Sequence, residues 1–99
     1  MNLDEIQHVA PEIIRIAKRH GISKIYVFGS VARGNATRRS DVDLLVEMDE
    51  GASLFGMAGF GYEVEKLLGL QVDVVPISVL PQIKDRQFVE NIQKEAIAL

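Results

Sequence analysis

Residues 25–46 of the 99-residue chain read IYVFGSVARGNATRRSDVDLLV, and this stretch decides the fold. An apolar run predicts a strand that ends in the small-residue turn Gly29-Ser30, and ten residues later a second apolar strand opens with Asp41 and Asp43. Side chains two positions apart on a strand point to the same face of the sheet. Two carboxylates on one face of an apolar strand repel each other and resist desolvation. A divalent cation with a phosphate ligand is the natural counterpart of such a pair.

A third acid stands alone in a later apolar strand. Asp73 is flanked by valines within residues 71–75. If this strand pairs beside residues 41–47, Asp73 shares a face with Asp41 and Asp43, and three carboxylates form an all-oxygen site that suits Mg²⁺ or Mn²⁺ rather than zinc. Mg²⁺ completes its coordination with water and substrate phosphate, so the site predicts a nucleotide. In that arrangement the first two acids bridge two metal ions, and the third binds one metal and accepts the proton of the incoming hydroxyl.

The turn between the strands supplies the predicted nucleotide-binding residues. Gly29 lets the backbone approach the phosphates, Ser30 offers a hydroxyl and an amide at a helix start, and Arg33 can neutralise the triphosphate. Each piece alone is more often structural, since an Asp-x-Asp is usually a solvent-facing strand edge and a Gly-Ser is usually a turn. Their order and their strand context together favour the metal and nucleotide interpretation.

Hydrophobic periodicity predicts the order helix, strand, short helix, strand, helix, strand, helix. The predicted helices cover residues 3–20, 30–35, 54–68 and 82–96, and the predicted strands cover residues 24–28, 41–47 and 71–75. Asn2 and Glu5 have the spacing of a capping box, and Pro11 predicts a kink or a fresh helix start. The last helix is expected to turn Ile83, Phe88, Val89 and Ile92 to its apolar side. The fold class is therefore α/β or α+β, a small mixed β-sheet packed with helices.

Length and composition limit the classes of function. Ninety-nine residues make one domain, residues 1–99, with a single core. The apolar content of 47% and the charged content of 25% are typical of a soluble protein. Without a membrane-spanning run or a signal peptide, the expected location is the cytoplasm, with no membrane partner. The net charge of −3 weighs against direct nucleic-acid binding, and the absence of cysteine excludes a thiolate metal site. His8 and His20 are expected to be surface residues.

Three motifs together resemble those of the minimal nucleotidyltransferases, which belong to the polymerase-β-like nucleotidyltransferase superfamily. The matching motifs are GSVARG at residues 29–34, SDVDL at residues 40–44 and VDVV at residues 72–75. The resemblance covers nearly the whole chain, including a closing Ile-x-x-Glu-Ala tail, and implies the fold of that superfamily. It also implies that Gly29 and Ser30 hold the nucleotide triphosphate. By the same resemblance Asp41, Asp43 and Asp73 bind the metals, with Asp73 as the base.

The segment 54–62, LFGMAGFGY, departs from that family, which usually has polar or acidic residues there. Each of its three glycines costs about 1 kcal/mol relative to alanine inside a helix, so only residues 62–68 are a firm helix. The favoured interpretation is a frayed helix start with Leu54 and Phe55 facing the core. The alternative is a flexible apolar surface for a partner.

Small members of the family are typically antitoxins, and their partner is a helical HEPN-domain ribonuclease toxin. The resemblance therefore implies such a role and such a partner for this chain. The implied reaction transfers AMP from the substrate ATP, with Mg²⁺ or Mn²⁺, to a tyrosine of the toxin and blocks the nuclease. Two alternatives stay open: an antitoxin that acts by docking alone, and a transferase that modifies a small-molecule hydroxyl. The chain has no room for an acceptor domain, so the acceptor site has to come from a second chain, in a homo- or hetero-oligomer. Three carboxylates in an idle site would destabilise the fold, which favours the enzyme.

Overall fold

Four helices and four strands form in the computed structural model, which describes residues 1–99. In chain order they are α1 (Leu3–Arg19), β1 (Ile22–Phe28), α2 (Gly29–Arg33), β2 (Val42–Met48), α3 (Leu54–Leu68), β3 (Val72–Pro76), a 3₁₀ turn at Ile77–Gln82, α4 (Arg86–Glu95) and β4 (Ile97–Ala98). The strands form one sheet in the order β3-β2-β1-β4. The β2–β3 pair is parallel and the other two pairs are antiparallel. This confirms the predicted mixed sheet with helices.

The first helix begins and continues as its sequence dictates, except at proline. The Asn2 side chain accepts a hydrogen bond from the Glu5 amide at 2.8 Å, and the Asn2 amide donates to the Glu5 carboxylate at 3.0 Å, which confirms the capping box. The helix runs through Pro11 as one element, so a fresh start there is wrong. Buried Ile6 and Ile13 lie on either side of the proline, and their packing on the sheet holds the helix together.

Apolar side chains cover both faces of the sheet, because neighbouring strand residues point in opposite directions. On one face Val27, Leu44 and Val46 join the main core formed with α1 and α3. On the other face Phe28 and Leu45 join a smaller core with Leu80, Val89 and Ile92 from the 3₁₀ turn and α4. Position 43 is one residue before Leu44, and therefore belongs to the α4 side of the sheet. No helix of the chain is both long and apolar enough to cross a membrane.

The C-terminal region differs from the sequence prediction. The predicted helix over 82–96 begins only at Arg86, because the preceding residues form the 3₁₀ turn and the Asp85 side chain caps α4 by accepting from the Phe88 amide at 3.1 Å. Ile83 therefore precedes the helix, and Phe88 is 44% exposed rather than buried. The two-residue strand β4, which pairs with Tyr26 and Val27 of β1, has no periodic signal in the sequence and depends on the edge of β1.

The glycine-rich segment is a continuous helix, not a frayed one. Ser53 caps α3 by accepting a hydrogen bond from the Gly56 amide at 3.2 Å. Leu54 and Phe55 are 75% and 89% exposed, so the expectation that they face the core is wrong. The first large side chain of the helix to be buried is Phe60, about one and a half turns further on.

Close contact with the end of α1 explains why this helix starts with glycines. A Cβ at Gly56 would lie 2.6 Å from the His20 carbonyl oxygen, and a Cβ at Gly59 would lie 2.7 Å from the His20 imidazole. The imidazole is only 23% exposed and pairs with Glu63, which also accepts from Arg19 at 2.7 Å. His20 is thus a contact between α1 and α3 rather than a free surface residue.

Candidate active site

Two of the predicted acids lie side by side at one end of the sheet. In the parallel β2–β3 pair, Asp43 lies directly opposite Asp73, so both side chains project from the same face. Asp41 is exposed and lies just before β2, where the Val42 amide donates to the Gln71 carbonyl at 2.9 Å and continues the pairing. The predicted pairing of the two acidic strands is confirmed, and it places one acid from each strand together.

The electrostatics of this end of the sheet centre on Asp43. The pKa of Asp43 is raised to about 6. The causes, largest first, are burial, repulsion from Asp73, a hydrogen bond between the Asp43 and Asp73 carboxyl groups, and repulsion from Asp41. Arg33 acts in the opposite direction and lowers that pKa in part. Because burial and the neighbouring carboxylates both disfavour the charged form of Asp43, a bound cation would stabilise that form.

Gly29 belongs to the same arrangement because its position tolerates no side chain. It adopts a left-handed φ of 72°, and a Cβ there would overlap the Asp43 carboxylate. Ser30 follows with a half-buried side chain in α2, and buried Val31 anchors this short helix in the main core. The turn is therefore pressed directly against the central acid.

Arg33, predicted to bind phosphate, makes an ion pair that sequence reasoning missed. Its Nη1 lies 2.9 Å and 3.2 Å from the two carboxylate oxygens of Glu95, at the end of α4. One of those oxygens also accepts from the Gly29 amide at 3.3 Å. The only sequence signal for Glu95 is its place in the Ile-x-x-Glu-Ala tail, which gives no indication of its partner.

A polar cleft opens beside this ion pair. It has a volume of about 520 Å³ and is lined by Arg33, Asn91, Lys94 and Glu95, none of them apolar. A larger, mostly apolar cavity of about 630 Å³ lies elsewhere, between α1 and the edge formed by β1 and β4, and no acid of the Asp43 cluster lines it. The polar cleft has two cationic side chains within it, and this composition suits a phosphate chain better than the apolar cavity does.

The donor set fits a magnesium ion, although it is not a closed cage. No three acidic or histidine side chains of the chain are gathered closely enough to enclose a metal ion by themselves. Mg²⁺ needs only one or two carboxylates, because water and phosphate oxygens complete its octahedral coordination. Asp43 and Asp73 meet that requirement as an oxygen-only pair, and Asp41 is the nearby third carboxylate.

The chain matches known proteins over most of its length. The family model described as "Nucleotidyltransferase domain" matches residues 10–99. A Methanocaldococcus jannaschii protein named "Putative protein adenylyltransferase MJ0435" is 42% identical over 87 residues, which cover 87% of this chain and 90% of that protein. The "Protein adenylyltransferase MntA" of Thermococcus cleftensis is 40% identical over 81 residues, which cover 81% and 82%.

Solved structures resemble the chain in the same way. A structure described as a "putative minimal nucleotidyltransferase" has a TM-score of 0.80 and 37% identity, covering 100% of this chain and 97% of the other. A chain from the complex of a tri-AMPylated Shewanella oneidensis HEPN toxin with an MNT antitoxin has a TM-score of 0.63 and 16% identity, covering 93% and 69%, and that likeness is one of fold.

The acids on paired strands, the glycine pressed against them and the match over residues 10–99 all point to one family. This chain belongs to the nucleotidyltransferase-domain family, and it is a nucleotidyltransferase whose fold matches that of the minimal nucleotidyltransferase.

Proposed function

We propose that this protein transfers AMP from ATP, with a divalent metal ion, to a tyrosine of a helical HEPN-domain ribonuclease toxin and thereby acts as its antitoxin. The observation that carries the proposal is the pairing of Asp43 with Asp73 against Gly29. The names of the two adenylyltransferase relatives support transfer of AMP to a protein. The fold neighbour in complex with an AMPylated HEPN toxin supports the class of acceptor.

In this proposal the turn binds the nucleotide and the strand acids bind the metal. Gly29, Ser30 and Arg33 hold the triphosphate, and the cleft beside Arg33 receives part of the nucleotide. Asp41, Asp43 and Asp73 are the metal ligands. Held by these carboxylates, Mg²⁺ would neutralise the phosphate charge during an in-line displacement.

The acceptor hydroxyl oxygen attacks the α-phosphorus and forms a new P–O bond. The bond from the α-phosphorus to the bridging oxygen of the β-phosphate breaks, and pyrophosphate leaves with that electron pair. The Asp73 carboxylate accepts the hydroxyl proton as the general base. This role suits its place on β3, an edge strand of the sheet, where Asp73 is exposed and a second macromolecule can approach it.

Intact-mass spectrometry of the toxin tests the transfer and the site together. After incubation with this protein, ATP and Mg²⁺, the HEPN partner should gain the mass of one AMP per transfer. The double variant Asp41→Asn/Asp43→Asn should produce no gain, because it removes both β2-side ligands. Asp49→Asn is the matched control, since this exposed aspartate lies beyond the opposite end of β2 and should leave transfer unchanged. Transfer retained by the double variant would contradict the assignment of the site.

The two other candidate activities give different results in the same assay. A stable complex without any mass gain would indicate an antitoxin that acts by docking alone. The raised pKa of Asp43 argues against that alternative, because a repulsive acid cluster costs stability and is typical of working sites. Transfer to small hydroxyl compounds but not to the toxin would indicate the small-molecule alternative.

A further inference from the structure

We propose that Glu95 is a positioning residue that holds Arg33 and the Gly29 turn ready for the nucleotide. The inference rests on the proposed nucleotide-binding role of these two residues. Glu95 lies 62 positions after Arg33 in the sequence, yet its carboxylate bridges the guanidinium and the Gly29 amide. One side chain of α4 thus fixes both ends of α2.

The burial of Glu95 shows that the contact is a fixed one. Its side chain is 17% exposed, whereas that of Arg33 is 49% exposed. A carboxylate so far removed from water needs a charged partner, because an unpaired charge in that position is strongly disfavoured. The guanidinium is therefore held at the carboxylate rather than moving freely in solvent.

Arg33 retains donors for a phosphate while it is held. Both contacts with Glu95 use the single nitrogen Nη1. The Nη2 and Nε groups make no hydrogen bond in the chain and are free to donate to phosphate oxygens at the cleft that Arg33 lines with Lys94. An arginine fixed in this way loses less conformational entropy on binding a phosphate than a free one.

The variant Glu95→Gln tests this role, because glutamine keeps the size and one acceptor oxygen but removes the charge. Binding of AMP-PNP with Mg²⁺, measured by calorimetry, should weaken about tenfold, and the KM for ATP should rise by a similar factor while kcat changes little. Glu90→Gln, an exposed carboxylate on the same helix, is the matched control and should change none of these values.

The double variant Arg33→Gln/Glu95→Gln separates positioning from a general loss of structure. It removes both charges together, so it should fold even if a single variant leaves an unpaired charge. If Glu95 acts through Arg33, the double variant should bind AMP-PNP about as weakly as Arg33→Gln alone. Additive losses would overturn the proposal, as would unchanged or tighter AMP-PNP binding by Glu95→Gln.

The binding measurement keeps this inference distinct from the proposed transfer. A wild-type protein that binds AMP-PNP but transfers no AMP to the toxin would contradict the proposed function. The binding constants of the Glu95 variants would still decide the positioning role in that case.

Discussion

At the scale of single residues, the position of Asp43 that suits a metal ligand also lowers the stability of the metal-free fold. Its carboxyl group faces Asp73 across the strand pair, has Asp41 nearby, and contacts a glycine that leaves it no room to move away. In the absence of a cation, the folded chain stabilises the protonated form of this group. The same repulsion becomes affinity when a divalent ion binds, which is the expected energetic signature of a metal site.

Replacing Asp43 by asparagine should therefore stabilise the metal-free protein at neutral pH, and this stabilisation should be absent at acidic pH. Because the pKa of Asp43 is about 6 in the folded state and 3.8 ordinarily, the folded state binds more protons than the unfolded state between these values. Wild-type stability should fall as pH rises through this window. Because solvent screens part of this effect, the free energy of unfolding that the wild type loses at pH 7 is on the order of 1–2 kcal/mol.

Urea unfolding in EDTA at pH 7 and below pH 4 checks this expectation. The gain from Asp43→Asn should appear at pH 7 and disappear below pH 4, whereas Asp49→Asn should show no such difference. Added Mg²⁺ should stabilise the wild type more than the Asp43 variant. An Asp43 variant less stable than the wild type at pH 7 in EDTA would contradict the argument.

At the scale of elements, α3 shows that glycines with equal helix propensity have unequal roles. A Cβ at Gly56 would lie 2.6 Å from a backbone carbonyl of α1, whereas a Cβ at Gly61 would meet only a Val74 methyl at 3.4 Å. Gly61→Ala should raise the free energy of unfolding by up to about 1 kcal/mol, since it adds helix propensity and its Cβ would meet only the end of a valine side chain at van der Waals distance. Gly56→Ala should lower it, because backbone atoms cannot move aside cheaply.

Thermal and urea unfolding of the two alanine variants compare these positions directly. The comparison is matched, because both substitutions are the same change in the same helix. If Gly56→Ala were as stabilising as Gly61→Ala, the close approach of α3 to α1 would not be a tight contact.

The elements also show how far the sequence predicts this molecule. The Asp43–Asp73 pairing was predictable, because a helix between two strands favours a parallel pair and the side-chain period of two fixes the shared face. The Arg33–Glu95 contact was not predictable, because it depends on how a 3₁₀ turn and α4 fold back over the sheet. Leu54 and Phe55 were misplaced, because apolar character alone does not distinguish a core residue from an exposed one.

At the scale of the whole molecule, the apolar start of α3 and the acid cluster lie at opposite ends of the sheet. The acids lie where β1 ends and where β2 and β3 begin. The start of α3 lies by His20, which precedes β1, so it lies by the other end of the strands. β1 and β2 each have seven residues, which separates the two ends by about 20 Å.

Two phenylalanines of one helix test this separation. Phe55 is 89% exposed, so Phe55→Ala should change the free energy of unfolding by less than about 0.5 kcal/mol. It should also leave kcat for AMP transfer unchanged at saturating toxin, because the chemistry occurs at the far end of the sheet. Phe60 is fully buried, and Phe60→Ala should cost about 3–5 kcal/mol in urea unfolding. A lower kcat for a fully folded Phe55→Ala protein would show that the bound toxin or a conformational change links the two ends, since no side chain at position 55 reaches the acids directly.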